Sequence, residues 1–123
     1  MISFVTIFAQ DIERTAAIYR LLGFEFVTEQ HGSGPEHLAC AGGATVLEIY
    51  PGKDVASPGI MIGVNVANLD HARARMLAAG IPLWRDAEPG MRRIIVKDPE
   101  GRSIFVREDL SDASDGDDGR VSI

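Results

Sequence analysis

Apolar and polar residues alternate along this chain with two periods, one typical of strands and the other typical of helices. Near residues 2–9 and 59–67 every second position is apolar, as expected for strands that bury one face. Each stretch leads into a segment with apolar residues at helical spacing, DIERTAAIYRLLG from Asp11 and NLDHARARMLAAG from Asn68. Asp and Asn are favoured N-cap residues and glycine is a common stop, so both segments are predicted to be helices.

The two helical segments begin 57 residues apart, and the same offset pairs Val5 with Ile62 and Leu47 with Ile104. This internal repeat predicts a strand, a helix and three further strands in each half of the chain. The predicted elements are strand 2–9, helix 11–22 and strands 24–29, 35–41 and 44–50, then strand 59–67, helix 69–79 and strands 81–86, 91–97 and 102–107. The expected organisation is one α+β domain over 1–107, with modules 2–50 and 59–107 and the linker 51–58.

The hairpins predict which side chains share a face. A two-residue turn at Gly42-Gly43 would place His37 directly opposite Glu48. Alternation along the strands then directs Leu47 toward the first helix, while His37 and Glu48 point to the other face. The same outward face is predicted to carry Phe4, Thr6 and Tyr50 in the first module, and Met61, Asn65, Arg92, Phe105 and Arg107 in the second. Such a mixture of aromatic, amide and charged groups predicts a concave sheet that holds a ligand.

The net charge of −6 comes mainly from residues 108–123, which hold six acidic residues and one basic residue. Residues 1–107 hold 12 acidic and 11 basic residues. A run of Ser, Asp and Gly cannot bury enough apolar surface to offset its ordering entropy, so this tail is predicted to be disordered. The body has no basic stripe, and no apolar run reaches the ~18 residues of a membrane helix. We therefore expect a cytoplasmic protein that has neither nucleic acid nor a membrane as its partner.

Several segments together resemble the vicinal oxygen chelate superfamily, which includes glyoxalase I, extradiol dioxygenases and bleomycin-resistance proteins. The resemblance covers residues 2–107 and lies in the order and spacing of VTIFAQDIERTAAIYRLLGFEF, LEIYP, VNVANLDHARARMLAAGIP and VKDPEGRSIFV. It implies two βαβββ modules whose sheets form a partly open, eight-stranded, barrel-like cup. It also implies a homodimer, in which a partner copy completes the concave faces and protects the sheet edges.

Metal-dependent relatives carry ligands at four positions, which the resemblance places at Phe4, Glu48, Met61 and Phe105. Only Glu48 can ligate a catalytic divalent cation there, since such ions need several N or O donors. The resemblance therefore implies no metal and no cofactor. His37 and Glu48 supply two adjacent donors, but His31 in the HGSG turn and His71 in the second helix are not expected to add a third.

Three hypotheses about function follow. The first is a metal-independent protein that binds an apolar or aromatic small molecule in the cup. The second is a metal-free lyase-like or isomerase-like enzyme in which Glu48 moves a proton and His37 tunes it. The third is a non-catalytic dimerisation module with a filled interior, and whether the chain is an enzyme stays open. The predicted ligand-binding residues are Phe4, Thr6, Tyr50, Met61, Asn65, Arg92, Phe105 and Arg107.

Overall fold

The computed structural model describes residues 1–53 and 59–109, in which seven strands and two helices form. In chain order they are β1 Phe4–Ala9, α1 Ile12–Leu21, β2 Val27–Glu29, β3 His37–Cys40, β4 Val46–Pro51, β5 Met61–Val66, α2 Leu69–Ala78, β6 Arg93–Lys97 and β7 Ser103–Glu108. Neither helix in this part of the chain is long and apolar enough to cross a membrane. Most of the predicted linker, residues 54–58, and the predicted tail from residue 110 onward lie outside the described residues.

The 57-residue repeat is visible in the element boundaries, because β5, α2 and β7 each begin 57 residues after β1, α1 and β4. Both predicted helix caps form. Asp11 Oδ1 accepts a hydrogen bond from Arg14 N at 3.1 Å, and Asn68 Oδ1 accepts one from His71 N at 2.9 Å. Each cap satisfies a backbone N–H that has no partner within the first turn of its helix.

The chain divides into two units, of which unit 1 comprises Met1–Ile60 with Lys97–Ser103. Its sheet has the order β1-β4-β3-β2, with β1 parallel to β4 and the other neighbours antiparallel. Helix α1 contacts β1, β3 and β4 on one face of this sheet. The core side chains on these elements include Ile7, Ala16, Ile18, Tyr19, Leu38, Leu47 and Ile49. Among the residues of unit 1 that the structure describes, no helix covers the opposite face of the sheet.

Unit 2 comprises Met61–Val96 with the chain from Ile104 onward. Its sheet has the order β5-β7-β6. The buried side chains alternate along the strands and share one side of α2, as the apolar pattern predicted; they are Val64, Val66, Leu69, Ala72, Met76, Ile94, Val96, Ile104 and Val106. Glu108, which was assigned to the tail, belongs to β7, and its Oε1 accepts a hydrogen bond from Leu69 N at 3.0 Å.

The strand predicted over 81–86 does not form, and the eight-stranded cup is not confirmed. The described residues contain seven strands in two sheets, neither of which closes. Pro82 has no N–H with which to extend a ladder. Trp84 N and Arg85 N both donate to Ile95 O, at 2.7 and 3.2 Å, so pairing here is reduced to the isolated bridge between Arg85 and Ile95.

The predicted register of the β3–β4 hairpin was wrong by two residues. Leu38 pairs with Ile49, and Ala39, rather than His37, lies opposite Glu48. Neither Gly42 nor Gly43 has the positive φ that a two-residue hairpin turn requires, and a longer loop joins Cys40 to Val46. Because side chains alternate with a period of two, a shift of two residues leaves every side chain on its predicted face.

Candidate functional site

A pocket of about 1060 Å³ lies on the face of the unit 1 sheet that α1 leaves uncovered. The parallel pairing of β1 with β4 sets Phe4 beside Val46, Thr6 beside Glu48 and Phe8 beside Tyr50. These three pairs form the floor, since alternate residues of a strand share a face. The other lining residues come from the start of the chain, from the segment between α1 and β2, and from β2 and β3 with their loops; they are Ser3, Gly23, Glu25, Val27, Glu29, His31, Ala39, Cys40, Ala41 and Gly42.

The floor is largely aromatic. Phe4 and Phe8, on the edge strand β1, are 59% and 49% exposed, a large exposure for phenylalanine. Phe8 and Tyr50 contact each other with ring centroids 6.1 Å apart and planes inclined by 54°. Exposed apolar groups gathered on one concave face indicate a binding surface rather than random surface composition.

Four side chains with metal-ligating or acid–base groups come together at the pocket, where three of them line it and the fourth, His37, is fully buried beside them. They are Glu29, His31, His37 and Glu48, whose ligand atoms all lie within 4.8 Å of one another. The His37 Nε2 atom lies 3.4 Å from Glu29 Oε1 and 3.8 Å from Glu48 Oε2. The His31 Nε2 atom lies 3.6 Å from Glu29 Oε1. The predicted neighbours His37 and Glu48 thus come together, although not as a directly opposed pair.

His37 is held by a ring contact and a hydrogen bond. Its side chain is fully buried, and its ring stacks on Tyr50 at a centroid distance of 3.9 Å with an interplanar angle of 11°. Its Nδ1 lies 3.2 Å from the carbonyl oxygen of Pro35. A carbonyl can only accept, so Nδ1 carries the proton and donates. Its Nε2 is buried and has no hydrogen-bond partner in the described residues.

Glu48 is also fixed in orientation. The Thr6 hydroxyl donates to Glu48 Oε1 at 2.8 Å, which leaves Oε2 directed at His37. The neighbouring Tyr50 phenol has a pKa raised above its ordinary value by partial burial and then by the negative charges of Glu48 and Glu29. Tyr50 therefore stays neutral at physiological pH and retains its hydroxyl proton as a hydrogen-bond donor.

A buried ionic network anchors the strand that carries the phenylalanines. Asp98 and Arg102 are 4% and 1% exposed, and Arg102 Nε lies 3.3 Å from Asp98 Oδ2. The Tyr19 hydroxyl donates to the same Oδ2 at 3.2 Å, and Arg102 Nη2 donates to the carbonyl oxygen of Phe8. The DPEG sequence, residues 98–101, forms a turn, which Gly101 closes with a φ of 86°.

The other predicted ligand-binding residues belong to unit 2, and their role stays a prediction. Asn65 Oδ1 accepts from Arg107 Nε at 3.0 Å, so both polar groups are engaged with each other. Arg92 lies just before β6, and its guanidinium is 3.4 Å from Asp70 and 3.6 Å from Glu108. Met61 and Phe105 are on β5 and β7.

The four positions inferred from metal-dependent relatives do not form a donor set. Phe4 and Phe105 offer phenyl rings, and Met61 offers a thioether, a soft ligand unsuited to hard or borderline divalent cations. Only the Glu48 carboxylate fits a metal, as the sequence analysis expected. Chemistry that depends on a metal at these positions is therefore not supported by the residues present.

Sequence reasoning missed Glu29 and set His31 aside as part of a turn. Both join the cluster because Gly32, with a φ of 58°, reverses the chain between β2 and β3. The turn is braced by Gly34 N donating to His31 O at 3.0 Å, and by Gln30 Nε2 donating to Gly34 O at 2.8 Å. The spacing Glu-x-His followed by His37 across a short hairpin is the signal that could have indicated the cluster.

Comparison with known proteins agrees with the resemblance noted in the sequence. A sequence model of the Glyoxalase/Bleomycin resistance protein/Dioxygenase superfamily matches residues 1–104. The structure is similar to TnmS3, an antibiotic binding protein from Streptomyces sp. CB03234, with a TM-score of 0.69 and 19% identity over 88% of this chain and 94% of that chain. It is also similar to TioX from Micromonospora sp. ML1, with a TM-score of 0.65 and 19% identity over 88% and 98% of the two chains.

A third similar structure is the trypanothione-dependent glyoxalase I of Leishmania major, with a TM-score of 0.72 and 18% identity over 92% of this chain and 89% of that chain. A search of curated proteins gave no match. At identities this low, the three structures establish a common fold, and the site must be interpreted from its own residues.

Proposed function

Since this chain belongs to the glyoxalase/bleomycin resistance protein/dioxygenase superfamily, we propose that it binds a small, largely apolar or aromatic molecule in the pocket of unit 1. The observation that carries the proposal is the pocket of about 1060 Å³ with Phe4, Phe8 and Tyr50 on its floor. Pockets near this size commonly hold drug-sized ligands. The fold shared with TnmS3, described as an antibiotic binding protein, supports a binding role.

The floor and wall suggest how such a ligand would be held. A flat ring system would stack on Phe4 and Phe8, removing their exposed surface from water. The Tyr50 hydroxyl and the Thr6–Glu48 pair would meet a polar substituent of the ligand. This mode of binding uses the aromatic floor and needs no metal ion, in line with the loss of donors at the family positions.

Ligand binding is expected to weaken about 10- to 100-fold in Phe8→Ala, because a buried phenylalanine contributes about 1.5–3 kcal/mol. The screen is thermal stabilisation of the protein by a panel of aromatic, peptide and metabolite compounds, followed by calorimetry on those that stabilise it. Leu77→Ala is the matched control, since Leu77 is 48% exposed but lies on α2, outside the pocket.

Failure of every compound to stabilise the protein would count against the binding role, as would equal losses in both variants. The same incubations test the second hypothesis, acid–base catalysis by Glu48 with His37. Chemical conversion of a bound compound that disappears in Glu48→Gln would support an enzyme in place of a pure binding protein. The pocket itself counts against the third hypothesis, a module with a filled interior.

We also propose a homodimer, because the open sheet face of unit 1 exposes Phe4, Phe8 and Val27, the last of them on the edge strand β2. An exposed edge and an apolar face are features that a second copy covers in symmetric assemblies. Size-exclusion chromatography with light scattering is expected to give twice the monomer mass. A monomer at micromolar concentration would contradict the proposal.

A further inference from the structure

We propose that Glu29, His31, His37 and Glu48 form a binding site for a divalent transition-metal cation of the zinc type. The site shares only Glu48 with the positions inferred from metal-dependent relatives. The other three donors come from β2, the loop after it and the first residue of β3, so the whole site lies within unit 1. It does not rest on the small-molecule ligand proposed above, and it is tested with metal alone.

The spacing of the donor atoms fits a tetrahedral cation. Zinc binds His nitrogen and carboxylate oxygen at about 2.0–2.2 Å, which separates neighbouring donors by about 3.3–3.6 Å. The His37–Glu29, His31–Glu29 and His37–Glu48 distances in the cluster are 3.4, 3.6 and 3.8 Å. Because all four ligand atoms lie within 4.8 Å of one another, modest side-chain rotations would bring them to one ion.

His37 supplies the strongest argument, because its buried Nε2 has no hydrogen-bond partner in the part of the chain that the structure describes. With the proton on Nδ1, a neutral ring presents a lone pair at Nε2. That lone pair faces Oε1 of Glu29 and Oε2 of Glu48, which are also acceptors. Three acceptors directed at one point are unfavourable unless a cation lies between them.

The surroundings of the donors match those of known metal ligands. Metal-binding histidines usually donate their second ring N–H to a carbonyl or carboxylate, as His37 Nδ1 does to Pro35 O. Ligating carboxylates are commonly fixed by a further hydrogen bond, as Glu48 is by Thr6. The stacked Tyr50 ring holds the imidazole plane in place. The ligand groups are thus oriented before any cation arrives.

The donor types and the access route indicate which ions fit. Two imidazoles with two carboxylates suit zinc and neighbouring transition metals better than magnesium or calcium, which prefer oxygen donors. The side chains of Glu29 and His31 are 40% and 68% exposed, so a cation enters from the solvent side. It then reaches the less exposed donors, Glu48 and the buried His37.

Calorimetric titration of the chelator-treated full chain with Zn²⁺ is expected to show one saturable site per chain and to raise the melting temperature. The affinity should fall about tenfold or more in His31→Ala and in Glu29→Gln, because each loses a ligand. His71→Ala is the matched control, since His71 is an exposed histidine on α2 and should bind zinc as the wild type does. His31 and Glu29 are partly exposed, so these variants are expected to fold.

Substitution with Co²⁺ gives a second readout, since its visible spectrum distinguishes four-coordinate sites from the hydrated ion. A four-coordinate spectrum that is lost in His31→Ala supports the site. Binding that never saturates, or that is equally strong in wild type and His31→Ala, would overturn it and indicate adventitious surface binding.

Discussion

Replacing Arg102 with methionine is expected to lower the free energy of unfolding by about 3–5 kcal/mol. The substitution leaves the Asp98 carboxylate, which is 4% exposed, without its guanidinium partner, and a buried unpaired charge is strongly destabilising. It also removes the hydrogen bond from Arg102 to the carbonyl oxygen of Phe8. The loss would be measured by urea unfolding monitored by circular dichroism.

Arg20→Met is the control for this measurement. Arg20 pairs with Glu13 at 2.9 Å, but both side chains are substantially exposed, so its loss should cost no more than about 1 kcal/mol. Combining Arg102→Met with Asp98→Asn should restore part of the loss, because no isolated charge then remains in the interior. A cost for Arg102→Met as small as that for Arg20→Met would show that the network is unimportant for stability.

A second large effect is expected in alkaline solution, where stability should fall as the pH rises above about 10. Burial, and then the nearby charge and hydrogen bond of Asp98, raise the pKa of Tyr19 far above its ordinary value. Above the ordinary pKa the unfolded chain loses the Tyr19 proton while the folded chain keeps it. The unfolded state therefore binds fewer protons, and each pH unit removes about 1.4 kcal/mol of stability.

The measurement is the free energy of unfolding in urea across the alkaline range for wild type and Tyr19→Phe. Tyr19→Phe should be less stable at neutral pH, because Asp98 loses a hydrogen bond. Its free energy of unfolding should, however, fall less steeply with pH above about 10, because the variant has no Tyr19 proton to lose. Tyr50→Phe is the control: Tyr50 lines the open pocket, so its removal should leave most of the slope intact. Identical slopes in wild type and Tyr19→Phe would contradict the assignment.

The features predicted correctly from the sequence are those determined by local patterns. The caps at Asp11 and Asn68 depend on one side chain and a nearby backbone N–H, and the repeat depends on apolar periodicity. The faces of His37 and Glu48 were correct despite a wrong register, because strand alternation survives a shift of two residues. These signals were sufficient for both helices, for seven of the eight predicted strands, and for the shared face of Phe4, Thr6, Glu48 and Tyr50.

The remaining features depend on contacts that short segments do not encode. Gly42-Gly43 permits a tight turn but does not require one, and the pairing of β3 with β4 determined the loop. Glu29 and His31 join His37 only through the fold of the intervening loop, so strand periodicity could not place them. The burial of Arg102 follows from the packing of a hairpin tip, although charged side chains are rarely buried.

Unit 1 is not a continuous stretch of chain, because Lys97–Ser103 completes it. The buried partners of Tyr19 and of the Phe8 carbonyl therefore lie about 80–95 residues later in the chain, a sequence separation that slows folding. During synthesis on the ribosome, the pocket strand β1 emerges early but lacks its ionic anchor until almost the whole body has been made. The first half of the chain therefore cannot complete its packing until Lys97–Ser103, near the end of the second half, has been synthesised.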